Sequence, residues 1–80
     1  MKNEKKPTII SLQERMKIPV GARIRRARID VGLTQQDVAN EIGASGSMIS
    51  FIEKGSQGFL VDYLILLRIK GIDINRIFND

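Results

Sequence analysis

The sequence predicts an all-α domain of five short helices, preceded by a basic arm. Three observations carry this. From Val20 onward apolar residues recur at intervals of three and four. Gly32, Gly43, Gly55 and Gly71 stand where those runs end. No stretch of alternating β-branched residues lies between two turns, so strand signals are lacking. Eighty residues accommodate one such domain and little more.

Residues 1–19 form the arm. They hold both prolines, Pro7 and Pro19, in a polar, Lys-rich setting. Within them, Thr8 to Met16 places Ile9, Leu12 and Met16 on one side, the pattern of a short helix too brief to be stable alone. The domain proper then spans residues 20–80. In the first helix Val20, Ile24, Ala27 and Val31 line one face, and Gly32 supplies the left-handed stop. Thr34 is a natural N-cap, and Asp37 three residues on completes a capping-box pattern for the second helix. That helix buries Val38, Ala39 and Ile42 and ends at Gly43.

Ser45 caps the third helix, which runs to Glu53, buries Ile49 and Ile52, and stops at Gly55. The fourth spans Leu60 to Ile69. Asp62 in its first turn and Arg68 in its last complement the helix dipole. Its apolar stripe, Leu60, Leu64 and Leu67 with Val61 and Ile65, is assigned mostly to the core. After Gly71, Asp73 caps a final helix from Ile74 to Phe78.

Composition narrows the function. The chain has no Cys and no His, which removes disulfides, thiolate nucleophiles, a Ser–His–Asp triad and the common zinc sites. No cofactor, metal or small-molecule ligand is implied, and the expectation is a binding module and not an enzyme. The longest apolar stretch, Phe59 to Ile69, contains Asp62 and Arg68 and falls short of the roughly 20 residues of a membrane span. The apolar run after the charged start is too short for a signal peptide, so a soluble cytoplasmic protein is expected. The formal net charge is +4. It is concentrated in residues 1–30, with nine basic side chains against three acidic, while residues 31–80 carry four against six. That asymmetry suits a polyanion, or simply a solvated basic face.

The most informative segment runs from Gln35 to Ile52. Ala39 sits where two helices must cross closely, and Gly43 four residues later gives the positive φ of a tight turn between near-perpendicular helices. Ile49 and Ile52 then clamp the second of these helices back onto the first. Gly32-Leu33-Thr34-Gln35-Gln36-Asp37-Val38-Ala39 and Ile49-Ser50-Phe51-Ile52-Glu53-Lys54-Gly55 together resemble the helix-turn-helix of the phage repressor/Cro-like DNA-binding family. The likeness extends over roughly residues 20–78.

The resemblance implies a transcriptional regulator, a repressor by occupancy, binding double-stranded DNA with its third helix in the major groove. It makes Gly46, Ser47, Ser50 and Phe51 the outward-facing reading positions, and Gln35, Lys54 and Ser56 contacts to the phosphate backbone. It also implies that Arg28 and Glu53 form a buried structural ion pair, and that the fourth and fifth helices make a homodimer contact. Ordinary solvated or loop roles remain open for Lys54 and Ser56.

The reading positions depart from the usual vocabulary. Base edges are commonly read by Gln, Asn, Arg or Lys, whereas this helix offers Gly, Ser, Ser and Phe. Phe51 suits a thymine methyl and Gly46 a close backbone approach; either specificity is weak and shape-dependent, or some readout comes from the basic arm. Arg23, Arg25 and Arg26 are expected to point outward, with an Arg26–Asp30 pair on the helix face. Asp37 and Glu41, four apart, read as a solvated acidic face and not as a catalytic dyad. The alternative is a protein-interaction module of the same fold, such as an antitoxin-like partner-binding protein. The thin reading helix and the near-neutral balance of residues 20–80 favour it.

Overall fold

The computed structural model describes residues 19–55 and 60–79, and for Leu60 the backbone alone. The arm up to residue 18, the short helix expected within it and Ser56 lie outside the described residues. Among the described residues five helices are seen: α1 (Val20–Asp30), α2 (Gln35–Ile42), α3 (Gly46–Glu53), α4 (Leu60–Ile69) and α5 (Asn75–Phe78). Among the described residues there is no strand.

The junctions follow local chemistry. The Thr34 hydroxyl accepts from the Asp37 N–H at 3.0 Å, and the Asp37 carboxylate accepts from the Thr34 N–H at 2.8 Å. In this capping box the Thr34 backbone N–H, and after it the Thr34 side chain, hold the Asp37 carboxylate below the ordinary aspartate pKa. Gly43 takes φ 73°, and the Ala44 N–H reaches back to the Ala39 carbonyl at 2.8 Å to close the turn. Ser45 then accepts from the Met48 N–H at 3.2 Å. The last helix begins one residue later than expected. Asp73 still caps its approach by accepting from the Asn75 N–H at 3.0 Å.

The core draws on every helix. Val20, Ile24 and Ala27 of α1 meet Val38 and Ala39 of α2, Ile49 and Ile52 of α3, Tyr63, Leu66 and Leu67 of α4, and Ile77 of α5. Each such large side chain contributes about 1.5–3 kcal/mol of burial. Val31 and Ile42, expected inside, pack on this cluster half-buried. α2 packs on α3, α1 on α3 and α5, and α4 covers α2 and α1.

Two expectations are corrected. The α4 stripe is rotated: Tyr63, Leu66 and Leu67 face the core, Leu64 is half-buried, and Val61 and Ile65 are exposed together with Ile69. A spacing of three then one from Tyr63 puts all three buried residues on the face that α2 and α1 cover. Arg23 does not simply point into solvent. Its Nη1 donates to the Ile77 carbonyl at 3.1 Å and the Asn79 carbonyl at 3.0 Å, pinning the end of α5 to α1. Arg25 and Arg26 are exposed as expected. Arg26 pairs with Asp30 at 3.2 Å, and Asp30 also takes a short contact from Arg76.

Candidate nucleic-acid interface

The site is built around the carboxylate that ends α3. Glu53 is buried, and α1, α2 and α4 each send a donor to it. From α1, Arg28 forms a bidentate pair, Nε to Oε2 at 2.7 Å and Nη2 to Oε1 at 3.1 Å. From α2, Gln35 Nε2 donates to Oε1 at 3.1 Å. From α4, the Tyr63 hydroxyl donates to Oε2 at 2.6 Å. The remaining Arg28 nitrogen, Nη1, donates to the Leu33 carbonyl at 2.9 Å. Burial disfavours the Glu53 charge, yet the hydrogen bonds from Arg28, Tyr63 and Gln35 hold its pKa below the ordinary glutamate value. Arg28 is raised in turn by its bond to Glu53. The Tyr63 phenol is pushed well up, first by burial and then by its acceptor.

This cluster fixes where α3 lies. At its start, Gly46 faces the Gln36 side chain: a Cβ added there would lie 3.3 Å from Gln36 Oε1. At its end, the backbone of α3 meets Gly21 of α1 so closely that a Cβ on Gly21 would fall 2.5 Å from the Glu53 carbonyl oxygen. Only glycine allows that approach without a shift of one helix. Between these anchors, Ser47 and Phe51 are exposed, Phe51 by 53%, and Ser50 is half-buried. Lys54 is exposed one residue beyond α3.

The family model for the helix-turn-helix domain matches residues 19–74. The chain belongs to the helix-turn-helix family, in its repressor/Cro-like branch. No curated protein and no solved structure matches the chain significantly. The helix-turn-helix consists of α2, the Gly43 turn and α3, with α1 and α4 buttressing it.

Of the residues singled out from sequence, the structure brings Arg28, Gln35 and Glu53 together in one hydrogen-bonded cluster and leaves Ser47, Phe51 and Lys54 accessible. Sequence reasoning missed three. Tyr63 was hidden in an apolar run, although a lone tyrosine there signals a hydroxyl that needs a buried partner. Gly21 carries no turn signal, and only its close approach to α3 explains it. Arg23 reads like any basic residue on a helix surface. Its carbonyl partners lie more than 50 residues away.

Proposed function

We propose that this helix-turn-helix protein is a sequence-specific DNA-binding transcriptional regulator, acting as a repressor in the cytoplasm by occupying its operator. α3 enters the major groove and presents Gly46, Ser47, Ser50 and Phe51 to base edges, with Phe51 against a thymine methyl. Gln35 and Lys54 meet phosphates, Ser56 adds a further backbone contact, and the free N–H groups at the start of α2 favour a phosphate oxygen. The arm, residues 1–19, adds sequence-independent attraction through Lys2, Lys5 and Lys6. Two copies paired through α4 and α5 would set two α3 helices one turn of DNA apart.

The observation that carries this reading is the bond from Gln35 to Glu53. It fixes the side chain at the mouth of α2 to the end of α3, as a joint backbone-positioning and groove-reading surface requires. A second reading has its own support. Val61, Ile65 and Ile69 are 66%, 52% and 72% exposed along α4, a surface suited to a protein partner. No helix among the described residues is long and apolar enough to cross a membrane.

Gel-shift titration separates the two. The double variant Gln35→Ala/Lys54→Ala is expected to lose at least about tenfold in duplex affinity at physiological salt while staying folded. Ser47→Ala should instead narrow the gap between a selected and a scrambled duplex. If wild type makes no distinction between those duplexes, or the double variant binds as tightly as wild type, the protein-partner reading replaces this one.

A further inference from the structure

We propose that Tyr63 is a positioning residue for DNA contact, its hydroxyl holding the Glu53 carboxylate at the angle that presents Gln35 to a phosphate. The inference rests on the DNA-binding reading above and assigns a role to a side chain that lies on α4, outside the helix-turn-helix itself.

Glu53 has two oxygens in one plane, and the donors divide between them. Oε2 takes Arg28 Nε at 2.7 Å and the Tyr63 hydroxyl at 2.6 Å. Oε1 takes Arg28 Nη2 and Gln35 Nε2, both at 3.1 Å. The two short bonds thus sit on the oxygen that Tyr63 of α4 reaches, and the two longer ones on the oxygen that Gln35 of α2 reaches. A carboxylate is rigid about its own carbon, so whatever fixes Oε2 also fixes Oε1. Arg28 spans both oxygens from α1, and Tyr63 approaches Oε2 from α4, so that oxygen is held from two directions by two helices. Tyr63 is fully buried, and a buried hydroxyl without an acceptor is costly, so its direction is set. Gln35 is half-buried and on the surface side of the cluster. Among the described residues its side chain has Glu53 as its hydrogen-bond partner, so the carboxylate determines where its amide points.

A purely structural role for Tyr63 predicts something different. Loss of the hydroxyl would then lower stability and affect all contacts alike. A positioning role acts through Gln35 and vanishes when Gln35 is gone.

The test compares Tyr63→Phe, Gln35→Ala and the double variant, each first checked for folding by its melting curve. Tyr63→Phe should weaken duplex binding about fivefold, the scale of one hydrogen bond. In the Gln35→Ala background the same change should cost nothing further. The Gln35 side-chain amide resonances of free Tyr63→Phe should also move toward solvent-exposed values. Because Tyr63 is the chain's single tyrosine, biosynthetic 3-fluorotyrosine labels it alone. Its fluorine resonance should shift when saturating duplex is added to wild type, and stay in place in Gln35→Ala. An unmoved Gln35 amide, a fluorine signal blind to DNA, or a Tyr63→Phe loss that persists undiminished without Gln35 each overturns the proposal. Wild type that binds no duplex overturns the underlying reading, and does so in the first titration, before any variant is compared.

Discussion

Around Glu53 the molecule keeps charge inside, and along the outer side of α4 it keeps hydrocarbon outside. The first region is complete: among the described residues no buried side-chain nitrogen or oxygen lacks a hydrogen-bond partner. Arg28 and Glu53 are 8% and 7% exposed, yet every charge they carry is answered. The second region is unfinished. Val61, Ile65 and Ile69 border a shallow apolar groove with Leu64 and Ile74, and only Arg68 at its edge is polar. The difference teaches where each region gets its geometry. A buried ion pair contributes less to net stability than to orientation, because desolvation offsets most of its attraction. An exposed apolar face contributes nothing to the fold of one chain and gains only when something covers it.

The largest effect is expected on breaking the first region. Arg28→Ala leaves Glu53 buried with two neutral donors and, at 4.0 Å, the largely exposed Arg25 guanidinium, and should destabilise the domain by about 3–5 kcal/mol, measured by urea unfolding at neutral pH. A loss below 1 kcal/mol would mean that solvent already reaches the carboxylate.

Acid should act on the same cluster more gently. Glu53 titrates below its ordinary value of 4.5 in the folded state, so its contribution is full above that pH and is lost as pH falls through the folded value. Asp30, held down chiefly by its hydrogen bond from Arg76, and Asp37 in its capping box change in the same direction below 3.8. Stability should therefore decline steadily under acid. Glu53→Gln, already weaker at neutral pH, should show a shallower decline, and parallel curves for the two proteins would contradict the assignment.

The smallest effect on folding belongs to α4. Ile65→Lys should change unfolding free energy by no more than about 0.5 kcal/mol, as at other exposed positions. If that face joins two copies, sedimentation should show a self-associating wild type and a monomeric variant. A variant that unfolds several kcal/mol more easily would place Ile65 in the core after all.

The legible parts of this molecule are those governed by neighbours in sequence. Thr34 and Asp37 declare a capping box within four residues, Gly43 declares its turn, and the bounds of α4 follow from its charges and Gly71. The Arg28–Glu53 pair came from likeness to known helix-turn-helix proteins, and no local rule yields it. The rotation of α4 was hard to read, because seven of its ten residues are Leu, Ile or Val and only Asp62 and Arg68 mark the outside. The tyrosine is the single aromatic of α4, and its meaning depends on a carboxylate in another helix. Gly21 and Arg23 share that difficulty, since their partners are backbone atoms brought near only by the finished fold.

One consequence follows from how α3 is anchored. The helix is held by its buried edge and its two ends, while no side-chain hydrogen bond ties Ser47, Ser50 or Phe51 to the rest of the described residues. Exchange at these positions breaks no side-chain hydrogen bond within the described residues, and at the exposed Ser47 it costs little stability. Single substitutions at the exposed Ser47 and Phe51 can therefore alter the surface of α3 while its anchors stay in place. The stability of the frame and the identity of this exposed surface rest on different contacts.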